Sequence, residues 1–148
     1  MKLSSKSRYA IVSMIEMAQT AASQERVTVL SLSQRLDISK IFLEQVFSLL
    51  RRGGLVNSMK GSQGGYQLAR SPEEISVYDI LVETETGLFE MPERTVEQSA
   101  PGIEKAMQEL LFQPLDKALR TALKKVLLSD LAEEAQHQPT DGGFMYYL

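Results

Sequence analysis

Residues 39 to 70, SKIFLEQVFSLLRRGGLVNSMKGSQGGYQLAR, constrain the fold most: an amphipathic helix that stops on two glycines and runs at once into a glycine-tipped hairpin. Ser39 is suited to cap a helix starting at Lys40, because a serine oxygen accepts from N–H groups that a first turn leaves unpaired. Phe42, Leu43, Val46, Phe47, Leu49 and Leu50 recur at spacings of three and four and predict one wide apolar stripe. Lys40, Ile41, Glu44, Gln45, Ser48, Arg51 and Arg52 fall on the opposite face, and Gly53 and Gly54 end the helix. Beyond them LVNSM and YQLAR alternate well enough for strands, while KGSQGG supplies a lysine and three glycines at the turn.

Upstream, residues 9 to 22 (YAIVSMIEMAQTAA) predict a central helix with apolar residues around most of its circumference. TVLSLSQRLDI predicts a short second helix, with Thr28 or Ser31 as N-cap, Leu32 and Leu36 on one face, and Asp37 and Ile38 in the turn that follows. Two helices joined by a tight turn, the second with polar and basic groups outward, make the helix-turn-helix pattern. An ordinary helical hairpin with a solvated face has the same spacing. The hairpin behind the second helix separates the two readings, since in that place it makes a wing. Lys60 at its tip suits a minor groove, where A·T-rich segments concentrate negative potential, and Gly61, Ser62, Gly64 and Gly65 offer backbone N–H groups to phosphates. A nucleotide-cradling loop does not fit, because that motif needs its lysine after the glycines and a helix next.

Charge by segment supports a polyanionic partner. Residues 1 to 70 carry ten Lys and Arg against four acids, a balance of +6, whereas residues 71 to 148 carry six against fifteen, a balance of −9. The overall −3 conceals this. With no cysteine and one histidine, His137 in a polar stretch, the chain has no thiol chemistry, no disulfide and no nucleophile–base pair, and it is not expected to be an enzyme. There is no apolar run of membrane-spanning length, and the N-terminus is charged where a signal peptide is apolar. A cytoplasmic protein is expected.

In the acidic half, SPEE suggests a helix start capped by Ser71 with Pro72 in the first turn, and SVYD repeats that logic from Ser76. From Pro114 onward Leu115, Leu119, Ala122, Leu123, Val126 and Leu127 predict an apolar stripe on a long helix, opposite Asp116, Lys117, Arg120, Lys124 and Lys125. A small winged domain has little core to cover such a stripe, so a two-fold copy is expected to do so. That pairing sets two recognition helices about 34–36 Å apart. The last residues, Phe144, Met145, Tyr146, Tyr147 and Leu148, follow a flexible DGG. They either fold back onto their own dimer or dock, carboxylate first, in a partner's groove.

The stretches SSKSRYAIVSMIEMA, SKIFLEQVFSLLRRGGLVNSMKGSQGGYQLAR, ISVYDILVETE and VLLSDLAEEA resemble the bacterial winged-helix repressor family that includes IscR, NsrR and CymR. The resemblance implies a homodimer that binds a palindrome-like operator in double-stranded DNA. It puts Ser39, Glu44 and Gln45 at positions of base and phosphate contact, and Lys60 where members usually have arginine. Glutamate can accept from cytosine N4 and glutamine can pair with adenine, while Ile41 suits a thymine methyl. Lys6 and Arg8 stand as phosphate clamps by the same resemblance, although they read equally well as solvated charges. Sensor members of the family hold an iron-sulfur cluster with three cysteines; TGLFEMPERTVEQSAPGIEKAM has none, so no cofactor is expected. In this the chain is similar to the cluster-free, CymR-like branch, which implies a role in cysteine metabolism, cysteine synthase as a partner, and Phe144, Tyr146, Tyr147 and Leu148 as its docking residues.

The expected architecture is mainly α with a small β-hairpin. A winged helix-turn-helix domain spans 1–85, a variable sensor-type loop and connecting helix 86–112, and a dimerisation helix with its tail 113–148. A winged-helix module that binds protein, or a repressor that has lost its signal, are the alternatives.

Overall fold

The structure, a computed structural model, describes residues 1–23, 26–61 and 64–138. Ser62 in the wing and the tail residues Phe144, Tyr146, Tyr147 and Leu148 lie outside the described residues. The first helix, α1 (Ser5–Gln19), begins where the Ser4 hydroxyl accepts from the Ser7 N–H at 3.2 Å. It covers 5–19 rather than 9–22, and a short 3-10 turn at Ala21–Ser23 takes up the expected last residues. Ala10, Met14 and Met17 recur on one face and are buried.

Thr28 caps α2 (Val29–Leu36), accepting from the Ser31 N–H at 3.0 Å. Asp37 then adopts a left-handed conformation, φ 55° and ψ 48°, which a short polar side chain tolerates better than most. Ser39 caps α3 (Lys40–Arg52) through the Phe42 N–H at 3.4 Å. Of the six apolar residues expected in the stripe, Leu43, Val46, Phe47 and Leu50 are fully enclosed, while Phe42 and Leu49 are half-buried at its margin. Each enclosed side chain contributes about 1.5–3 kcal/mol.

The hairpin strands β1 (Val56–Ser58) and β2 (Tyr66–Leu68) pair antiparallel, with Val56 opposite Leu68, Asn57 opposite Gln67 and Ser58 opposite Tyr66. The named strands are shorter than the alternating sequence suggests, although backbone pairing continues past them, with the Ala69 N–H donating to Leu55 at 3.0 Å and the Met59 N–H to Gly65 at 2.8 Å. A third segment joins them: Val27 and Tyr66 exchange backbone hydrogen bonds at 3.0 and 2.8 Å. The Tyr66 ring packs on Phe47 with centroids 4.7 Å apart, which keys the wing to α3.

The acidic half departs further from expectation. The Ser71 side chain does not cap the 3-10 turn Pro72–Glu74; its hydroxyl donates to Glu73 instead. Ser76 and Asp79 do form a reciprocal capping box at the start of α4 (Val77–Thr84). A short turn at Thr86–Phe89 leads to α5 (Pro101–Met107), which continues through a π turn, Gln108–Phe112, into α6 (Gln113–Lys125). Pro114 has no N–H for the Leu110 carbonyl, and the wide turn absorbs that gap: the Gln113 N–H reaches back to Gln108.

The single helix expected through Leu127 ends at Lys125, so Val126 and Leu127 are not part of its apolar stripe. Val126 turns extended, accepts from the Val77 N–H at 2.9 Å, and lets Leu128 donate to Ile75 at 2.8 Å. This backbone exchange drops Leu128, wholly buried, into the core that α1 and α3 also line. The last helix, α7 (Leu128–His137), then packs along α1, so the end of the described chain completes the core of its beginning.

Candidate nucleic-acid interface

The outward face of α3 is formed by the residues the spacing assigned to it: Lys40, Ile41, Glu44, Gln45, Ser48, Arg51 and Arg52 are all exposed, as is the N-cap Ser39. Ile41 is 71% exposed, an apolar group held in water with no packing reason, as a contact for a thymine methyl requires. Lys40 and Glu44 lie 3.8 Å apart, both more than half exposed, a pairing that contributes little and leaves either free to exchange partners. Arg51 and Arg52 form no ion pair among the described residues.

The helix passes into the wing through Gly53 and Gly54, and Leu55 donates to the Leu50 carbonyl at 3.0 Å. At the tip, Lys60 is exposed and unpaired among the described residues. Gly61, Gly64 and Gly65 have φ of 139°, 64° and 115°, conformations that side chains disfavour. One part of the expectation changes: the Gly64 N–H is used inside the turn, donating to Gly61 at 3.3 Å, and the Gly65 carbonyl accepts from Met59 at 2.8 Å.

Lys6 and Arg8 sit on the first turn of α1, Lys6 half-buried and Arg8 exposed. That turn is fixed from α4, because Glu85 accepts from the Ser4 N–H at 2.9 Å and from its hydroxyl at 2.8 Å. Hydrogen bonding from Ser7 and then from Ser4 holds the Glu85 carboxyl below its usual range. Arg35, by contrast, is paired with Glu16 and braces α2 against α1.

The segment after α4 folds on its own polar side chains. Glu104, 2% exposed, accepts from the Val96 N–H and from the Gln108 amide, both at 3.2 Å. Arg120 gathers three elements: it donates to Asp116 and to the Tyr78 hydroxyl at 2.9 Å and to the Phe89 carbonyl at 3.3 Å. Sequence spacing places Glu104 beside Gln108 and Asp116 beside Arg120, one helical turn apart, but Val96, Tyr78 and Phe89 join them only through folding.

On α6, Leu119 and Leu123 are half-buried where the helix packs on α4, while Leu115 (58%) and Ala122 remain exposed. The uncovered face extends toward the N-terminus through residues not singled out in sequence, Ile103 (60%), Leu110 (81%) and Leu111 (46%). Their signal is present, but the sequence reading starts the apolar stripe only at Pro114 and takes residues 86–112 as a variable loop and connecting helix.

A polar, cation-rich face on the second helix of a helix-turn-helix, backed by the core and followed by a lysine-tipped hairpin, defines a winged-helix DNA-binding transcriptional regulator. The chain belongs to the Rrf2 family, described as iron-dependent transcriptional regulators, whose model matches residues 3–134. CymR of Bacillus subtilis is 34% identical over 151 residues spanning both chains in full. The solved structure of that global cysteine regulator superposes with a TM-score of 0.72, covering 95% of this chain and 99% of that one. IscR of T. potens superposes at 0.71 with 31% identity, over 99% and 97%. IscR of Cereibacter sphaeroides is 48% identical over 82 residues, 55% of this chain and 53% of that protein, so that match spans about half of each.

Iron does not fit the residues present. The chain has no cysteine, and among the described residues no group of three or more His, Asp or Glu converges. The one buried carboxylate of the sensor-type segment, Glu104, is satisfied by Val96 and Gln108. Among the described residues, no helix is long and apolar enough to cross a membrane.

Proposed function

We propose that two copies of this chain repress transcription by occupying a palindrome-like operator, each placing α3 in a major groove and its wing in the flanking minor groove. The observation that carries the reading is the division of α3: Leu43, Val46, Phe47 and Leu50 are enclosed while every polar and basic residue of the other face is exposed. Glu44, Gln45 and Ile41 choose the sequence. Lys40, Arg51, Arg52, Lys6, Arg8 and Lys60 hold the backbone, releasing counterions as they do so, and Ser39 and the N–H groups of Gly61 and Gly65 add neutral hydrogen bonds.

The copies pair through the apolar face of the α5–α6 helix, Ile103, Leu110, Leu111, Leu115 and Ala122, rather than through Val126 and Leu127. Leucines this exposed need a partner surface, and a symmetric one supplies it. The site of action is the cytoplasm, where the operator is. Likeness to CymR, a global cysteine regulator, supports genes of cysteine metabolism as targets; cysteine synthase, received by Phe144, Tyr146, Tyr147 and Leu148, is the partner we propose, and removing residues 143–148 should then abolish co-purification with the synthase while leaving operator binding intact.

Titration of genomic and scrambled duplexes at several salt concentrations, with sedimentation to fix the oligomeric state, tests the main reading. A dimer with steeply salt-dependent, sequence-selective binding is expected. A monomer, or a protein indifferent to all duplexes at low salt, overturns it.

A further inference from the structure

Arg26 has no place in the helix-turn-helix pattern, yet folding delivers it to the wing. The Val27–Tyr66 exchange ties its loop to β2, and its side chain then runs along the hairpin's flank. A Cβ on Gly65 would stand 3.2 Å from the Arg26 Cβ, and one on Gly61 would stand 2.8 Å from Nη1 and 3.9 Å from Nη2. The guanidinium therefore lies over the bare α-carbon of Gly61, next to Lys60 in the chain. Arg26 is exposed, and among the described residues it forms neither an ion pair nor a side-chain hydrogen bond.

We infer that Arg26 is a DNA-backbone contact of the wing, forming with Lys60 a two-cation grip on duplex phosphates. The inference rests on the winged-helix reading and adds to it a residue from outside both helix and hairpin. Lysine is a compact point charge, whereas guanidinium presents a planar fork that meets two phosphate oxygens at once. Glycine at 61 is what lets the fork lie that close to the tip. An arginine with no acid partner among the described residues gives up only water and its counterion on meeting a phosphate.

The test compares the full-length protein with Arg26→Gln, Arg26→Lys and Lys60→Ala on operator and scrambled duplexes between low and moderate salt, with thermal melts to verify folding. Arg26→Gln should melt like the parent, bind both duplexes roughly three- to tenfold more weakly at intermediate salt, and lower the salt slope by about one. Arg26→Lys should keep the slope and recover only part of the affinity. If Lys60→Ala lowers the slope while Arg26→Gln matches the parent, Arg26 is not a contact although the wing is. A loss by Arg26→Gln on the operator alone also overturns the inference, since backbone contacts do not select sequence. Failure of the parent to bind any duplex refutes the winged-helix reading itself.

Discussion

The two halves of this molecule differ in how many of their cations are left without an acid partner. In the N-terminal half Lys6, Arg8, Arg26, Arg51, Arg52 and Lys60 form no ion pair among the described residues, while Arg35, Lys40 and Arg70 pair with Glu16, Glu44 and Asp79. In the C-terminal half Arg94, Lys105 and Arg120 are each paired with an acid, and Lys124 sits over the Tyr78 ring at 4.7 Å. A solvated cation meets a phosphate simply by releasing counterions, whereas a paired one must first give up its carboxylate. The cations without an acid partner are thus concentrated in the N-terminal half, around the start of α1, the end of α3 and the wing, whereas most of those in the C-terminal half hold its own elements together.

The largest effect should come from the uncovered leucines. Leu110→Arg places a charge where the monomer tolerates one but a paired helix does not; we expect dissociation in sedimentation and operator affinity reduced about a hundredfold or more, as two-site binding is lost. A variant that remains dimeric and fully active would remove this face from the assembly. Next, Leu128→Ala should cost about 2–5 kcal/mol in urea unfolding, although the residue belongs to the acidic half, because its cavity opens in the shared core. A cost under 1 kcal/mol would mean the halves are less dependent on each other than their packing indicates.

The charge comparison itself is sharpened by replacing Arg51 and Arg52 together with alanine, which should lower the salt slope by about two, against Arg94→Ala, which should leave it unchanged. Equal slopes for the two variants would erase the distinction between solvated and paired cations. Gln45→Ala should cost about 1–3 kcal/mol of discrimination at one base pair, read from a panel of single-substituted operators, with scrambled-duplex affinity unaltered.

The smallest effect concerns Glu85. Its carboxyl is held low in the folded protein, so its contribution is fully present above the pKa of an unfolded glutamate, about 4.3, and is lost as pH falls through the lower folded value. Glu85→Gln should lower the melting temperature near pH 7 and converge with the parent in acid. A difference that persists unchanged in acid would show that charge is not what holds the start of α1.

The DNA-facing elements were readable because each is specified locally. Ser39 and Thr28 cap the first turns beside them, and the alternation of apolar and polar residues in α3 directly sets which side faces the core. Arg26, Glu104 and Arg120 were not readable in the same way. Each acquires its role from a partner 8 to 42 residues away or more: Glu104 from Val96, Arg120 from Tyr78, and Arg26 from the wing glycines.

By itself, the sequence determined the helix-turn-helix, the glycine-tipped wing and the sign of the charge on each half, since periodicity, capping and composition act over a turn or a hairpin. The tertiary structure alone decided where the last long helix breaks and which of its leucines stay uncovered. Val126 and Leu127 have good helical spacing, but pairing their backbone with residues 75–77 and burying Leu128 outweighs one more helical turn in water. That choice depends on a strand of chain fifty residues earlier, and no local pattern contains it.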